Sequence, residues 1–471
     1  MDRGEFGVKR AVIIILGVCI LFGALAVTRN PYNRDWTRGE LSHVVAYNLC
    51  TTGKMFPDAP YVARPPGYIY FIAAVFSASE FLAPQFCFME TPEGHVPVKT
   101  NLLVALFIAQ IFVHAANAVL LYLWAGRLMD RRMALVIALC FGTSVYWLLQ
   151  IASVHYAVWH LFWVLAAGYT WTLAWQERER SLMMGLSGLL WGIATLVRPV
   201  TLLLPLFAVP AAVIAGRGDK HWVIRFTLLI ILGMAVFIGP NTLRNYRLTG
   251  RWIPVNAQAA AALWGGTEPH PGISPKHYFW PRLLPEFERI YRGVTGDNYT
   301  YAGYVRHNLA LEDAFRREAW RNIRERPGVY AGNVLTNLKL FAVGVDSGIL
   351  NGYLARRHGE DRTATTRPFD ALMILLTVLA GLAGYAALRA RDTRLLVPAA
   401  VLLCYGLGHA LTYLDINYYY FKQPFLYLGA GYLLSRLCCS SDRPGAGWRI
   451  AGYVMTGAVI CVTAMSWRIF F

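Results

Sequence analysis

Long apolar runs recur from one end of this chain to the other, at 11–27 and near 101–125, 133–150, 156–175, 182–197, 200–215, 222–240, 369–389, 395–413, 424–437 and 449–469. A segment that crosses lipid must satisfy its own backbone hydrogen bonds, which restricts it to a helix or a closed barrel. Runs this long and continuous read as helices, several of them at the short end of the usual spanning length. The 471 residues are 56% hydrophobic and only 15% charged, less charge than a soluble domain of this size carries. The expectation is an all-α polytopic membrane protein with about eleven transmembrane helices.

Loop charge orients the spans. The basic stretches at 126–132, 176–180, 216–225, 389–394 and 436–443 all fall on one side if two shorter runs, Ile69 to Ala83 and Val329 to Val345, lie in the membrane plane. Counting either run as a span breaks that agreement, so both are expected as surface-lying segments. The N-terminal run has no small-residue cleavage site and is long enough to span, which reads as an uncleaved anchor with a cytoplasmic N-terminus. The chain then divides into a transmembrane core, 1–240, with an outer loop at 28–100 carrying juxtamembrane helices, an outer-face loop domain at 241–368, and C-terminal transmembrane helices at 369–471. Within the middle region, LEDAFRREAWRNIRERPGVY reads as an amphipathic helix stopped by Pro327.

The net charge of +17 is spread too thinly for a nucleic-acid patch; positive-inside loops account for it, and anionic membrane lipids are natural partners. Eight cysteines without CxxC spacing argue against a zinc or redox centre. Cys50 and Cys87 share the outer loop, either as a disulfide or as free thiols.

Candidate chemistry concentrates in the outer regions. Asp35 lies between Arg34 and Arg38 at the start of a stretch whose apolar residues suit an interfacial helix. It is either a helix N-cap or a base, and neighbouring arginines would keep it ionised for the second task. Glu40 is a solvated helix residue or a supporting acid. Arg64 precedes Pro65, Pro66, Gly67 and Tyr68, a stiff backbone that presents its guanidinium at headgroup level, to a phosphate or as a simple anchor. Arg198, the one charge in GLLWGIATLVRPVTLLLPLF, either snorkels or binds substrate. Arg244 and Lys422 fall on the same side, where converging cations would make a phosphate site. His155, in the short turn SVHYAVWH, is an interface histidine or a ligand to acceptor or metal.

Together these residues resemble the dolichyl-phosphate-mannose–protein mannosyltransferase family, and within it the bacterial aminoarabinose-transferase-like branch of the glycosyltransferase C superfamily. The resembling pieces are Asp35-Trp36-Thr37-Arg38, Ala63-Arg64-Pro65-Pro66, Leu196-Val197-Arg198-Pro199, Arg244 to Gly250, and Tyr418-Tyr419-Tyr420-Phe421-Lys422-Gln423-Pro424. They depart from the family where Trp36 replaces a second acid and Ala63 replaces a glutamate that helps hold a divalent metal. The resemblance implies transfer of a sugar from a polyprenyl-phosphate carrier to a glycolipid, lipopolysaccharide or protein acceptor at the outer face of the inner membrane. Asp35 would be the base of an inverting displacement, with Arg38, Arg64, Arg198 and Lys422 on the donor phosphate and Glu40, His155, Arg244 and Tyr419 in support. No cofactor beyond a divalent metal is implied. The competing class is a flippase for a lipid-linked sugar, which needs cations at one face but no base.

Overall fold

The computed structural model describes residues 3–29, 42–56, 59–79, 86–91, 94–177, 181–216, 218–269, 279–343, 363–412, 420–439 and 446–465. Each apolar run of the sequence is helical, though not always as one straight rod. They are α1 (Arg3–Arg29), α4 (Thr100–Leu128), α5 (Arg131–Gly142) with α6 (Val145–Ile151), α7 (Ala157–Gln176), α8 (Ser181–Val197), α9 (Pro205–Gly216), α10 (Lys220–Thr249), α16 (Thr363–Arg389), α17 (Leu396–Leu411), α18 (Gln423–Cys439) and α19 (Ala446–Met465). Among the described residues, five helices are long and apolar enough to cross a membrane, or six if α5 and α6, bent by 53° at their junction, count as one span. The figure of eleven thus exceeds the spans that stand on length and composition alone, because α8, α9 and α19 present shorter apolar stretches. Large apolar side chains such as Ile13, Phe112, Leu232, Val236 and Leu382 point outward. In water such faces would aggregate; against lipid they are ordinary, and the protein is multi-pass.

Local chemistry sets the helix ends. Asp130 accepts from Arg132 N–H at 2.8 Å to start α5, and Asp219 accepts from Trp222 N–H at 3.0 Å to start α10. Gly250, at φ 70°, closes α10 in the left-handed conformation. The tightest packing joins α8 to α10: a Cβ on Gly188 would stand 2.6 Å from the Ile230 carbonyl oxygen, and one on Gly233 would stand 2.7 Å from Leu189 N. Small residues let the backbones touch where lipid supplies no hydrophobic drive between helices.

The outer loop holds α2 (Ser42–Thr52), α3 (Pro66–Ala78) and an antiparallel hairpin of β1 (Phe86–Thr91) with β2 (Gly94–Lys99). Among the described residues, the hairpin is a small exception in an otherwise helical chain. Its residues Phe86, Phe88, Val96 and Val98 recur at a period of two inside a segment too short to span. Beyond α10 come α11 (Ala259–Thr267), α12 (Phe279–Thr295), α13 (Tyr301–Arg306), α14 (Asn308–Glu325) and α15 (Pro327–Val343). The amphipathic segment is α14; it ends at Glu325, just before Pro327, the residue expected to stop it, which also opens the next helix. Buried Leu311, Phe315 and Ala319 of α14 join Trp264, Phe287 and Tyr291 in a core shared with α2 and α3, separate from the core of the spanning helices.

The run Val329 to Val345, expected as a surface-lying segment, holds α15, which docks on the end of α17. It runs back along the last turns of α17, with Tyr330 Oη on Leu411 O at 3.0 Å, Asn337 on Ala410 O and Thr412 O, and Phe341 against Gly406. Its buried positions Asn333, Asn337 and Phe341 are four apart, one face of a helix, so the asparagines that interrupt its apolar pattern are the residues that dock it.

Candidate functional site

Two ends of the bundle separate cleanly. At one end Gln176 donates to Arg127 O, Asp130 N–H to Ser435 Oγ, and Arg394 to Leu128 O, while Arg436 pairs with Asp392 at 3.3 Å. These tie the basic stretches 126–132, 389–394 and 436–443 together, as the charge pattern requires. The other ends of the same helices carry the segment 64–68, the turn 151–156, Arg198, His409 and Lys422.

Arg64 is presented by a backbone held on both sides. The three preceding carbonyls are all taken: Tyr61 O by Arg244 at 3.4 Å, Val62 O by Ala257 N–H at 2.8 Å, and Ala63 O by Asn256 Nδ2 at 3.3 Å. Beyond it, Pro66 opens α3, and Gly67 lies so close to the end of α8 that a Cβ there would stand 2.8 Å from Leu196 C and Val197 N. Arg64 and Arg198 therefore belong to the same end of the bundle. Tyr68 donates to Gln110 Oε1 at 3.0 Å, and Gln110 Nε2 donates to Ile151 O and Ser153 O, each at 2.8 Å. The Arg-Pro-Pro-Gly-Tyr segment and the turn bearing His155 are thus bolted to one buried amide. His155 itself is half-buried and accepts from Ala157 N–H at 3.3 Å.

Arg198 does not snorkel: it is 6% exposed, at the end of α8. Its guanidinium lies 4.9 Å from the Phe421 ring centroid and 5.6 Å from that of Tyr156, and Nη2 donates to His409 Nε2 at 3.3 Å. Aromatic faces suit a guanidinium plane. Next to Phe421, Lys422 is buried, and its ammonium donates to Phe341 O at 2.6 Å and Ala342 O at 3.4 Å, capping the C-terminal end of α15. Arg244 also donates to Asn245 Oδ1 and Met55 Sδ, so much of its reach goes into holding Met55 and Tyr61.

Sequence reading passed over His160, Tyr405 and His409. All three are buried; His160 Nε2 bonds the Tyr405 hydroxyl, Tyr405 stacks on Phe421 with centroids 5.7 Å apart, and Tyr405 and His409 lie one turn apart on α17. Their signal was polar residues four apart, CYGLGHAL, within a run read only for its length. Asp35, Arg38, Glu40 and Tyr419 lie outside the described residues. Cys50 is a free thiol, while the Cys87 side chain lies outside the described ones. Among the described residues no three His, Cys, Asp or Glu side chains converge as metal ligands would.

No family model matches the chain, and no curated protein matches it. Solved structures do. An Archaeoglobus fulgidus oligosaccharyltransferase in complex with zinc and sulfate aligns with TM-score 0.54 and 14% identity over 96% of this chain and 53% of its own. The archaeal oligosaccharyltransferase AglB of the same organism, in complex with an inhibitory peptide and a dolichol-phosphate, gives 0.52 and 14% over 98% and 56%. ArnT from Cupriavidus metallidurans, bound to undecaprenyl phosphate, gives 0.38 and 12% over 89% and 77%, too loose to weigh. The chain spans a little over half the length of the oligosaccharyltransferases it aligns with. Over that shared length the chain has the fold of those oligosaccharyltransferases.

Proposed function

We propose that this protein is an integral-membrane glycosyltransferase of the mannosyltransferase-like, aminoarabinose-transferase-like kind, moving a sugar from a polyprenyl-phosphate carrier to a lipid, lipopolysaccharide or protein acceptor. One observation carries the reading: within a glycosyltransferase C architecture, a buried, aromatic-clamped Arg198 and a backbone-fixed Arg64 share one end of the bundle, opposite the basic loops. The positive-inside rule assigns that end to the outer face of the inner membrane. A lipid phosphate is a stable anion that leaves without a general acid, so the site needs cations for the leaving group and one base for the acceptor hydroxyl. Arg198 and Arg64 would take the phosphate, with Arg38 beside them and Lys422 holding the helix end behind. Asp35 would take the hydroxyl proton in a single displacement with inversion. The bound dolichol-phosphate of AglB is a lipid phosphate of this class.

Asp35→Asn tests the mechanism in a strain whose envelope glycans are profiled by mass spectrometry. Transfer should fall by about two to four powers of ten, the usual loss for a removed general base, while binding of lipid phosphate survives. Unchanged transfer would remove the base and favour a flippase. Arg64→Ala should weaken donor affinity by about tenfold or more, as losing a charge-assisted hydrogen bond does; unchanged affinity and turnover would take Arg64 out of the phosphate site.

A further inference from the structure

Arg198 is the residue on which the donor site turns, and its immediate partner is a second buried polar side chain from a distant part of the sequence. Arg198 leaves α8 in an extended conformation at φ −151° and ψ 119°, directly before Pro199. Its Nη2 meets His409 Nε2 at 3.3 Å, across 211 residues of chain. An arginine has only donors, so the imidazole must accept through Nε2 and carry its proton on Nδ1. His409 is thus neutral in this contact; a protonated ring would offer the guanidinium nothing to bond and a like charge besides.

The surroundings constrain the fork in the remaining directions. Phe421 and Tyr156 lie against the guanidinium at 4.9 Å and 5.6 Å. Phe421 is itself braced: Tyr405 stacks on it at an interplanar angle of 13°, and His160, edge-on to it at 5.3 Å, bonds the Tyr405 hydroxyl. Gly408 packs a Cβ-less backbone against Val200, two residues past Arg198, where a Cβ would stand 2.4 Å from Cγ2, so α17 lies in close contact with the arginine's segment. Among the described residues, the charged and titratable groups around His409 are Arg198 after α8, His160 on α7 and Tyr405 on its own helix.

We propose that His409 is a positioning residue for Arg198. Its neutral imidazole accepts one guanidinium N–H and so fixes the plane and the direction in which the fork meets the phosphate of the lipid-linked donor. His409 does not touch the donor; it acts through Arg198, and Tyr405 with His160 act one step further out through Phe421. The assignment rests on the donor class proposed above, and deepens it by naming what orients the phosphate ligand. A preoriented fork binds more tightly because less freedom is lost on binding.

The test uses the full chain in nanodiscs of phosphatidylethanolamine and phosphatidylglycerol, with undecaprenyl phosphate as the probe and Arg198→Gln as the control for loss of the site. His409→Leu removes the acceptor; His409→Gln restores an oxygen at similar reach; His409→Asn places the same amide one methylene short. Leu and Asn variants should bind the probe about tenfold more weakly than wild type, the loss of one hydrogen bond to a charged group, with Gln within about twofold. A merely structural role would not be rescued by Gln and lost again in Asn. Wild-type binding in the Leu variant, or Gln as weak as Leu, overturns the proposal. If the Leu variant does not yield a monodisperse protein, Gln against Asn decides: Gln stronger supports positioning, the two alike overturn it. A wild-type protein that binds no undecaprenyl phosphate removes the donor class itself, a failure distinct from binding that ignores residue 409.

Discussion

A buried glutamate, Glu312, and a half-buried one, Glu268, show what single side chains do in the helices that follow α10. Glu312 accepts from Ala260 N–H at 2.9 Å, capping α11, and Glu268 accepts from Asn322 at 2.9 Å. Burial pushes both carboxyls above their ordinary value, outweighing the Ala260 N–H and Arg316 at Glu312 and the Asn322 amide at Glu268. The folded state therefore binds protons more readily than the unfolded chain. Their contribution to stability is fully present below the unfolded value and is lost as pH rises through the raised folded one. Thermal melts in detergent should show this region firmer in mild acid than at neutral pH. Glu312→Gln, which keeps an acceptor for Ala260, should raise the neutral-pH midpoint by a few degrees and flatten the pH dependence. A midpoint that falls on substitution would show that the ionised cap stabilises α11 more than its burial costs. Residues of this kind were hardly legible in the sequence. Glu312 read as one charge of an amphipathic helix, and only the packing of α11 onto α14 turns it inward. Arg198 was legible as a charge in an apolar run, but whether it faces water or protein depends on α17, which lies some two hundred residues away.

Elements were read well where a run was long and poorly where two short pieces share one job. α1, α4 and α10 are the sequence's runs with extended ends. The 133–150 run, by contrast, breaks at Thr143-Ser144, where Ser144 Oγ and the buried Gln423 hydrogen-bond each other across the bundle. In α15 the asparagines that interrupt an apolar run are its docking groups; Asn333 takes Gly266 O and Glu268 O, and Asn337 takes the last carbonyls of α17. An amide that satisfies helix-end carbonyls is invisible until those ends are neighbours. The α8–α10 contact makes its own prediction. Gly188→Leu should cost about 1–3 kcal/mol or more, since the obstructing atom is a backbone carbonyl that cannot rotate away. Fluorescence-detected size-exclusion after heating should record the lowered midpoint, whereas Gly185→Leu, where a Cβ meets nothing within 4 Å, should melt as wild type. Equal midpoints for the two variants would mean that α8 and α10 do not touch through glycine.

At the scale of the whole molecule, the segregation of basic loops to one end and of Arg64, Arg198 and Lys422 to the other is a topological statement with a direct check. Cys50 on α2 is an exposed free thiol. A membrane-impermeant maleimide applied to spheroplasts should label it without permeabilisation, and Arg131→Cys, at the start of α5, should label only after permeabilisation. Labelling of both from the same side would overturn the two-ended arrangement and with it the outer-face site.

By itself, the sequence determined that the chain spans a membrane repeatedly, roughly where its helices run and which loops share a side. Those properties follow from the local cost of burying apolar surface or leaving charge in lipid, and each is paid residue by residue along one segment. Only the tertiary structure decided which helices are broken, that α15 docks on α17 through amides, and that a guanidinium, an imidazole and an aromatic ring from three separate segments share one dry end of the bundle. Contacts of that sort are made between residues hundreds of positions apart, and no local pattern records which distant partner a side chain meets.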